Sequence, residues 1–313
     1  MLRLPSSTPA PDPDRPLLPG HSDRIAIIAD IHGNIRALEA VLDDIAGQDV
    51  DAVVCNGDLC TGSAHSLEVV QRLRRLGIPC TRGNHERYLH ELADPSDPRW
   101  RQANWAPTCF EFGHLDADDR HWLGQLPSTL WLCDGDTPLL MAHAAPGDDT
   151  ARLTAHVGEA DWTRVFAGLP AHTTLVGSHL HWYWQRQWQG YRFVRTPSVG
   201  LPIDGDPRAG YVLLQRGADG WQAEERRLAY DLEAELAAFR RTEFYRQGGL
   251  IAHLFWEELR TARWWIIPFF AHLRRVQVAT AIRPGDAGYD SDQLAAAWRT
   301  FDRSRSIEYD PDG

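Results

Sequence analysis

Along the first part of the chain the apolar positions alternate between two periods. Arg24–Ala29 (RIAIIA), Ala52–Cys55 (AVVC) and Ile78–Thr81 are short apolar runs of strand length, whereas Ile35–Ala46 and Leu67–Leu76 repeat their apolar residues at helical spacing. Strand–helix–strand units of this length predict parallel strands with crossover helices. From about Pro95 to Gln125 the pattern is helical and irregular, with turn signals at Pro95, Pro98 and Gly113. Beyond Leu130 it changes to strands: 129–133, 138–142, 173–177, 182–188, 191–196, 210–215 and 221–228, with turns such as Gln189-Gly190 and Gly217–Gly220. From Asp231 it is helical again (231–247, 250–282, 291–303), divided by Gly248-Gly249 and Pro284-Gly285. This pattern predicts two sheets packed face to face with helices outside. Residues 1–22 read as a disordered Pro-rich lead, 23–230 as the main domain and 231–313 as a helical C-terminal extension of no legible function.

Composition narrows the class. The chain has 313 residues, 43% of them hydrophobic, enough for one large domain or a core with an appendage. A formal net charge of -11 gives no electrostatic reason to expect long nucleic acid as a partner, yet leaves room for a small phosphorylated substrate beside bound cations. Cys55, Cys60, Cys80, Cys109 and Cys133 are odd in number and never spaced Cys-x-x-Cys, which argues against a disulfide framework or a thiolate zinc site and for a reducing cytosol. The longest apolar run, Trp264–Ala271, is interrupted by Pro268 and falls short of the roughly 20 residues of a membrane span. A soluble, cytoplasmic protein with no membrane partner is the expectation.

The chemistry gathers where strands end. The first stops at Asp30-Ile31-His32-Gly33-Asn34, the second at Asn56-Gly57-Asp58, the third at Arg82-Gly83-Asn84-His85-Glu86. In an open parallel sheet, side chains just past the strand C-termini meet in one crevice. Glycines 33, 57 and 83 let the backbone turn sharply beside them. His143 follows the run Leu139–Ala142, with His156 and His172 as competitors for its role, and His179-Leu180-His181 follows Thr174–Val176. Two imidazoles at i, i+2 can address two neighbouring ions. Carboxylates, an amide and imidazoles around one carboxylate are what two cations about 3.5–4 Å apart require to generate hydroxide near neutral pH and clamp phosphoryl oxygens. Imidazole with carboxylate suits Mn, Fe, Zn or Ni, of which Mn is favoured, better than Ca.

Asp30-x-His32, Gly57-Asp58, Gly83-Asn84-His85-Glu86, His143 and His179-x-His181 resemble the successive motifs of calcineurin-like metallophosphoesterases over about residues 24–215. The wording DIHGNIRALEAVLDDI and SVGLPIDGDPRAGYVLL is most similar to the bacterial diadenosine-tetraphosphatase-related and YfcE-like branch. The resemblance implies a four-layer α/β/β/α sandwich of two mixed sheets. It implies one cation on Asp30, His32, Asp58 and His181, a second on Asp58, Asn84, His143 and His179, with Asp58 bridging and catalytic. His85 then acts as transition-state stabiliser or general acid. The implied activity is hydrolysis of a phosphodiester or related ester by a hydroxide between the metals. Diadenosine-polyphosphate hydrolysis and broad phosphatase activity are the alternatives, and a non-catalytic scaffold is disfavoured because every ligand position is filled. Two departures stand out. The last motif reads Gly177-Ser178-His179 where the family places glycine directly before the histidine. The phosphate-gripping arginine of the protein-phosphatase branch is also absent after Gly57-Asp58, which argues against a dedicated protein phosphatase.

Other residues carry two readings each. Arg36, Arg82 and Arg87 flank the motifs as phosphate donors or as charged helix-face residues. His65 sits after Asp58, near substrate or merely solvated. Trp182, Tyr183, Trp184 and Trp188 form a base-stacking platform or, more simply, pack a sheet. Glu257–Leu273 is either a contact for a homo-oligomer through the C-terminal helices or buried against its own core.

Overall fold

A computed structural model describes residues 17–18, 22–133, 135–278 and 288–305. The Pro-rich lead expected over 1–22 and the end of the helix expected to reach 282 lie largely outside these residues. Two mixed sheets form the centre. In one, the order is β2 (Ala52–Cys55), β1 (Arg24–Ile28), β8 (Ala209–Gly217), β9 (Gly220–Leu228). In the other it is β3 (Thr129–Cys133), β4 (Leu139–Ala142), β5 (Thr174–Gly177), β7 (Tyr191–Arg195), β6 (Trp184–Trp188). β1 runs parallel to β2, as the crossover through α1 (Ile35–Ile45) demands, and antiparallel to β8.

The period of two along each strand builds the layers. Ile25 and Ile27 of β1 face the second sheet and meet Leu130, Leu132, Met141, Val176 and Val194. Ala26 and Ile28 face outward onto α1 and α2 (Ser66–Leu76) through Leu38, Val41, Val69 and Leu73. Beyond the second sheet, Leu140, Leu175 and Phe193 pack on Trp162 and Phe166 at the short helix α6 (Glu159–Val165), which the sequence pattern did not reveal. The result is the four-layer α/β/β/α sandwich.

The third strand expected at Ile78–Thr81 is reduced to one bridge, Cys55 to Cys80. Pro79 has no N–H to extend the ladder; its carbonyl accepts from Cys55 and Thr81 donates to the Cys55 carbonyl, and pairing stops there. The segment still delivers Asn84 and His85 to the sheet edge, at the start of α3 (Asn84–Glu91). α4 (Ala106–His114) and α5 (Ala117–Gly124) follow.

The helical tail divides more finely than its periodicity suggested, into α7 (Leu232–Phe239), α8 (Glu243–Gln247), α9 (Gly249–Thr261), α10 (Ile266–Val278) and α11 (Ser291–Thr300). α9 ends at Ala262, whose φ is 50°, and α10 restarts because the buried Glu258 carboxylate accepts the N–H groups of Trp265 and Ile266, both at 2.8 Å. The helices share a core with Leu201 and with Phe110 of α4. Trp265, Phe269 and Leu273 are buried inside this chain, which favours the burial reading of that segment. Among the described residues no helix is long and apolar enough to cross a membrane. Cys55, Cys60, Cys80 and Cys109 form no disulfide among the described residues.

Glu111 of α4 accepts from Ser66 Oγ (2.8 Å), and burial pushes its carboxyl from 4.5 to about 8. The folded state therefore retains a proton that the unfolded chain releases, so this contribution is whole below pH 4.5 and is lost as pH rises towards 8. Glu111→Gln is expected to raise the melting temperature at pH 8 and to leave it unchanged near pH 4, as scanning calorimetry across that range would read.

Candidate metal centre

Backbone geometry at the strand ends is unusual in a consistent way. Asp30, His32, Asp58, His179 and His181 all have φ between 50° and 67°, the left-handed region that costs a non-glycine residue energy and that persists where surrounding structure enforces it. Here the enforcement is visible. Asp30 N–H donates to Gly57 O, His32 N–H to Asp58 O and Gly200 N–H to Asp30 O, so the loops beyond β1 and β2 remain stitched together. Gly57 (φ 81°) lies so near Gly83 that a Cβ on it would stand 2.6 Å from the Gly83 nitrogen. Gly83 has an ordinary φ of -88°; glycine is needed there for space against Asp58, not for a sharp turn.

Two buried side chains hold this arrangement. Asn56 donates to Ala142 O (2.9 Å) and Val176 O (3.3 Å), bolting the end of β2 to β4 and β5 in the other sheet, and accepts from Thr81 Oγ1 (2.8 Å). Glu86 accepts from the N–H groups of Asp58, Leu59 and Gly83 within 2.9 Å, and from Cys60 at 3.4 Å, which clamps the Asp58 turn. Burial and the neighbouring Asp58 charge push Glu86 up to about 7, against the pull of these N–H donors.

The clamped loops bring Asp30, His32, Asp58 and His181 into one group and Asp58, His143 and His179 into another, with candidate ligand atoms in each within 4.8 Å of one another. Asn84 joins the second group, its Oδ1 lying 3.2 Å from His143 Nε2. Asp58 Oδ2 lies 3.2 Å from His143 Nε2 and 3.7 Å from His32 Nε2, between the two groups. Three imidazoles are oriented alike: His32 Nδ1 donates to Thr61 O (2.8 Å), His143 Nδ1 to Asn56 O (2.7 Å) and His181 Nδ1 to Leu201 O (2.6 Å). A carbonyl can only accept, so each Nδ1 carries a proton, and His32 and His181, which burial pushes below the usual imidazole range, turn an Nε2 lone pair to the centre. Ser178, in the family's glycine position, donates from Oγ to the His143 and Asn56 carbonyls, each at 2.9 Å, and so fixes the turn into His179.

Electrostatics show what such a site lacks. His32 Nε2 and His181 Nε2 face each other at 3.1 Å, lone pair to lone pair, and both Asp30 oxygens are buried without a hydrogen-bond partner. Burial raises Asp30 well above the usual carboxylate range and drives His181 well below the imidazole range. Burial would also raise Asp58, but the surrounding imidazoles, His143 first, hold it well below. Burial lowers His143 as well, yet Asp58 and Asp30 more than offset this and push it up to about 10. A buried set of acceptors without donors is costly unless cations satisfy it. The donor set, imidazole with carboxylate and one amide, fits a pair of divalent transition ions.

His85 stands beside the centre. Its N–H donates to Asp58 Oδ1 (3.0 Å), its ring meets His32 edge-on at 4.9 Å between centroids, and its Nδ1 is unpartnered. A cavity of about 440 Å3 opens over His32, Asp58, Asn84, His85, His179 and His181. The three flanking arginines do not line it. Arg36 pairs with Glu235 of α7 (2.7 Å) and Arg87 forks onto Asp149 (2.7 and 2.8 Å), so both guanidiniums are occupied by carboxylates. Arg82 donates its backbone N–H to Pro127 O and is absent from the residues lining the cavity. Arg152, which the sequence gave no reason to single out, is the arginine among the lining residues. His65 caps the start of α2 near Glu68 and stays outside. Trp184 and Trp188 pack on the sheet, and Trp182 lies under the Arg195 guanidinium at 3.9 Å; none of them lines the cavity.

Residues 23–215 match the profile of the calcineurin-like phosphoesterase domain. The chain belongs to that family. Its members are hydrolases of phosphate esters, typically with a binuclear metal site. Among curated proteins, the chain is 40% identical over 62 residues to an uncharacterised protein of Methanocaldococcus jannaschii, covering 20% of this chain and 26% of that one. It is 25% identical over 231 residues to a probable cyclic nucleotide phosphodiesterase of Psychrobacter sp., covering 60% and 66% respectively. The alignments thus span less than two thirds of either relative. A metallophosphoesterase of Sphaerobacter thermophilus superposes with a TM-score of 0.58 at 24% identity, over 76% of this chain and 99% of the other. A hypothetical protein of Pyrococcus horikoshii superposes with a TM-score of 0.62 at 15% identity, over 74% and 97%. These likenesses establish the shared fold.

Glu86→Gln would turn an amide NH2 towards N–H groups that now find a carboxylate. The expected loss is about 2–3 kcal/mol of stability, read as a lower urea midpoint at constant m; a midpoint within experimental scatter of the parent would contradict the clamp.

Proposed function

We propose that the protein hydrolyses phosphodiesters or closely related phosphate esters with two divalent cations, held by Asp30, His32, Asp58 and His181 on one side and by Asp58, Asn84, His143 and His179 on the other. The observation that carries this reading is the 3.1 Å opposition of the His32 and His181 lone pairs beside the two unpartnered oxygens of Asp30. A cation between them would relieve it. The diester preference takes support from the Psychrobacter relative, a probable cyclic nucleotide phosphodiesterase. The substrate in this reading is a small phosphorylated molecule, and manganese is the ion favoured for the site.

Bound cations would supply an acidified water as nucleophile and a positive clamp for the phosphoryl oxygens. Asp58, whose Oδ2 lies between the two groups, would be shared by both cations, and its low proton affinity keeps it available. Asn84 contributes a neutral oxygen, which limits the negative charge gathered at the centre. His85 is held neutral, pushed down to about 4 chiefly by burial. A neutral ring donates one hydrogen bond, so His85 acts by stabilising charge that develops on a phosphoryl oxygen, in preference to acting as a strong general acid. The carbonyls of Thr61, Asn56 and Leu201 keep three imidazoles in the tautomer that the site needs.

Metal analysis of protein purified without chelator should find about two ions per chain. Added Mn should raise the melting temperature, since saturation at 100 times Kd adds about 2.7 kcal/mol. Hydrolysis of bis-p-nitrophenyl phosphate should require the metal; turnover of the monoester alone would overturn the diester preference. Asp58→Asn is expected to abolish turnover and weaken metal loading. His85→Ala should lower kcat about 100- to 1000-fold with both ions retained; loss of the ions instead would assign His85 to the ligands.

A further inference from the structure

The C-terminal helices cover the centre. Trp264, in the break between α9 and α10, stacks on His181 with ring centroids 6.3 Å apart and planes 24° apart. Phe255 of α9 meets the His85 ring at 6.4 Å. From these contacts the cavity extends away from the metal ligands between α9, α10 and the start of α4, where Trp105, Ile251, Phe255, Trp264, Ile267 and Phe270 form its walls.

Several polar groups in those walls are engaged, whereas the buried Trp264 Nε1–H has no partner. Asn104 Oδ1 accepts from the Tyr289 N–H (2.8 Å), Thr150 Oγ1 donates to Asp148 (2.8 Å), and Glu258 Oε1 accepts from two backbone N–H groups. Arg152 is exposed at the edge. The walls named above are aromatic and aliphatic, so a hydrocarbon seated here buries apolar surface and loses nothing polar.

We propose that α9 and α10 make this cavity the seat of an apolar ester group, so that the substrate is a phosphate ester of a hydrocarbon alcohol, its phosphate on the Asp58 centre and its chain under Trp264, Ile267 and Phe270. This rests on the hydrolase reading above and names its substrate class. Apolar burial gives the chain its affinity, and the centre holds the headgroup.

Methyl-, butyl- and octylphosphonate, compared with adenosine 5′-monophosphate, test it as inhibitors of bis-p-nitrophenyl phosphate hydrolysis. Ki should fall about fourfold for each methylene that enters the cavity, and octylphosphonate should bind more tightly than the nucleotide. A Ki independent of chain length, or tighter binding of the nucleotide, would overturn the proposal. Ile267→Glu should shrink the ratio of methyl to octyl Ki at least tenfold; an unchanged ratio would also overturn it. If that variant fails to fold, the series on the parent protein decides. Calorimetric titration of the same phosphonates separates the two readings. Chain-length dependence without any turnover would remove the hydrolase reading alone, and turnover with a flat series would remove only the apolar seat.

Discussion

Three backbone carbonyls, those of Asn56, Thr61 and Leu201, each accept the Nδ1 proton of a buried imidazole, and the rest of the site depends on that constraint. Because those protons are committed outward, the Nε2 lone pairs of His32 and His181 face each other beside two carboxylates in a volume with few donors. The fold holds this unfavourable concentration of acceptors in place by other means. Glu86 clamps one loop through backbone N–H groups, Asn56 spans the gap between the sheets, and five residues at the strand ends adopt left-handed backbone that only dense neighbouring hydrogen bonding would enforce. Strain and electrostatic repulsion are thus concentrated where cations would relieve them.

The two halves of the sandwich contribute unequally to this arrangement. The first sheet supplies the carboxylates and His32, and the second supplies His143, His179 and His181 at the ends of β4 and β5. Neither sheet alone closes a cation site. The Asn56 side chain, donating to carbonyls of both β4 and β5, therefore positions ligands as well as joining layers. Arg36, paired with the buried Glu235 that also accepts from Ser63, ties α7 to α1 and to the loop after Asp58. A basic residue that looked like a phosphate contact belongs instead to the attachment of the C-terminal helices.

Those helices change the character of the site. The metal motifs alone would sit in an open crevice at the edge of the sheets. Placed over it, α9 and α10 add an aromatic and aliphatic wall within reach of His85 and His181, converting the crevice to a cavity with a polar floor and an apolar roof.

From sequence alone, the strand–helix alternation before Leu130, the strand-rich stretch after it and the ordered motifs from Asp30 to His181 were legible, because buried strands and amphipathic helices leave periods in the chain and ligands cluster at strand ends. The family likeness then named the layers. Other features were decided only in three dimensions. Pro79 reduced the third strand to a single bridge, since a missing N–H matters only once a partner strand is in place. Arg36 and Arg87 were claimed by Glu235 and Asp149, 199 and 62 residues away, partners that no local pattern can reveal. Glu258 divided what read as one long helix, and the tail that read as an appendage closed over the centre. Local periodicity reports which face of a segment is apolar; what that face packs against is decided by chain segments distant in sequence, and so only by the folded structure.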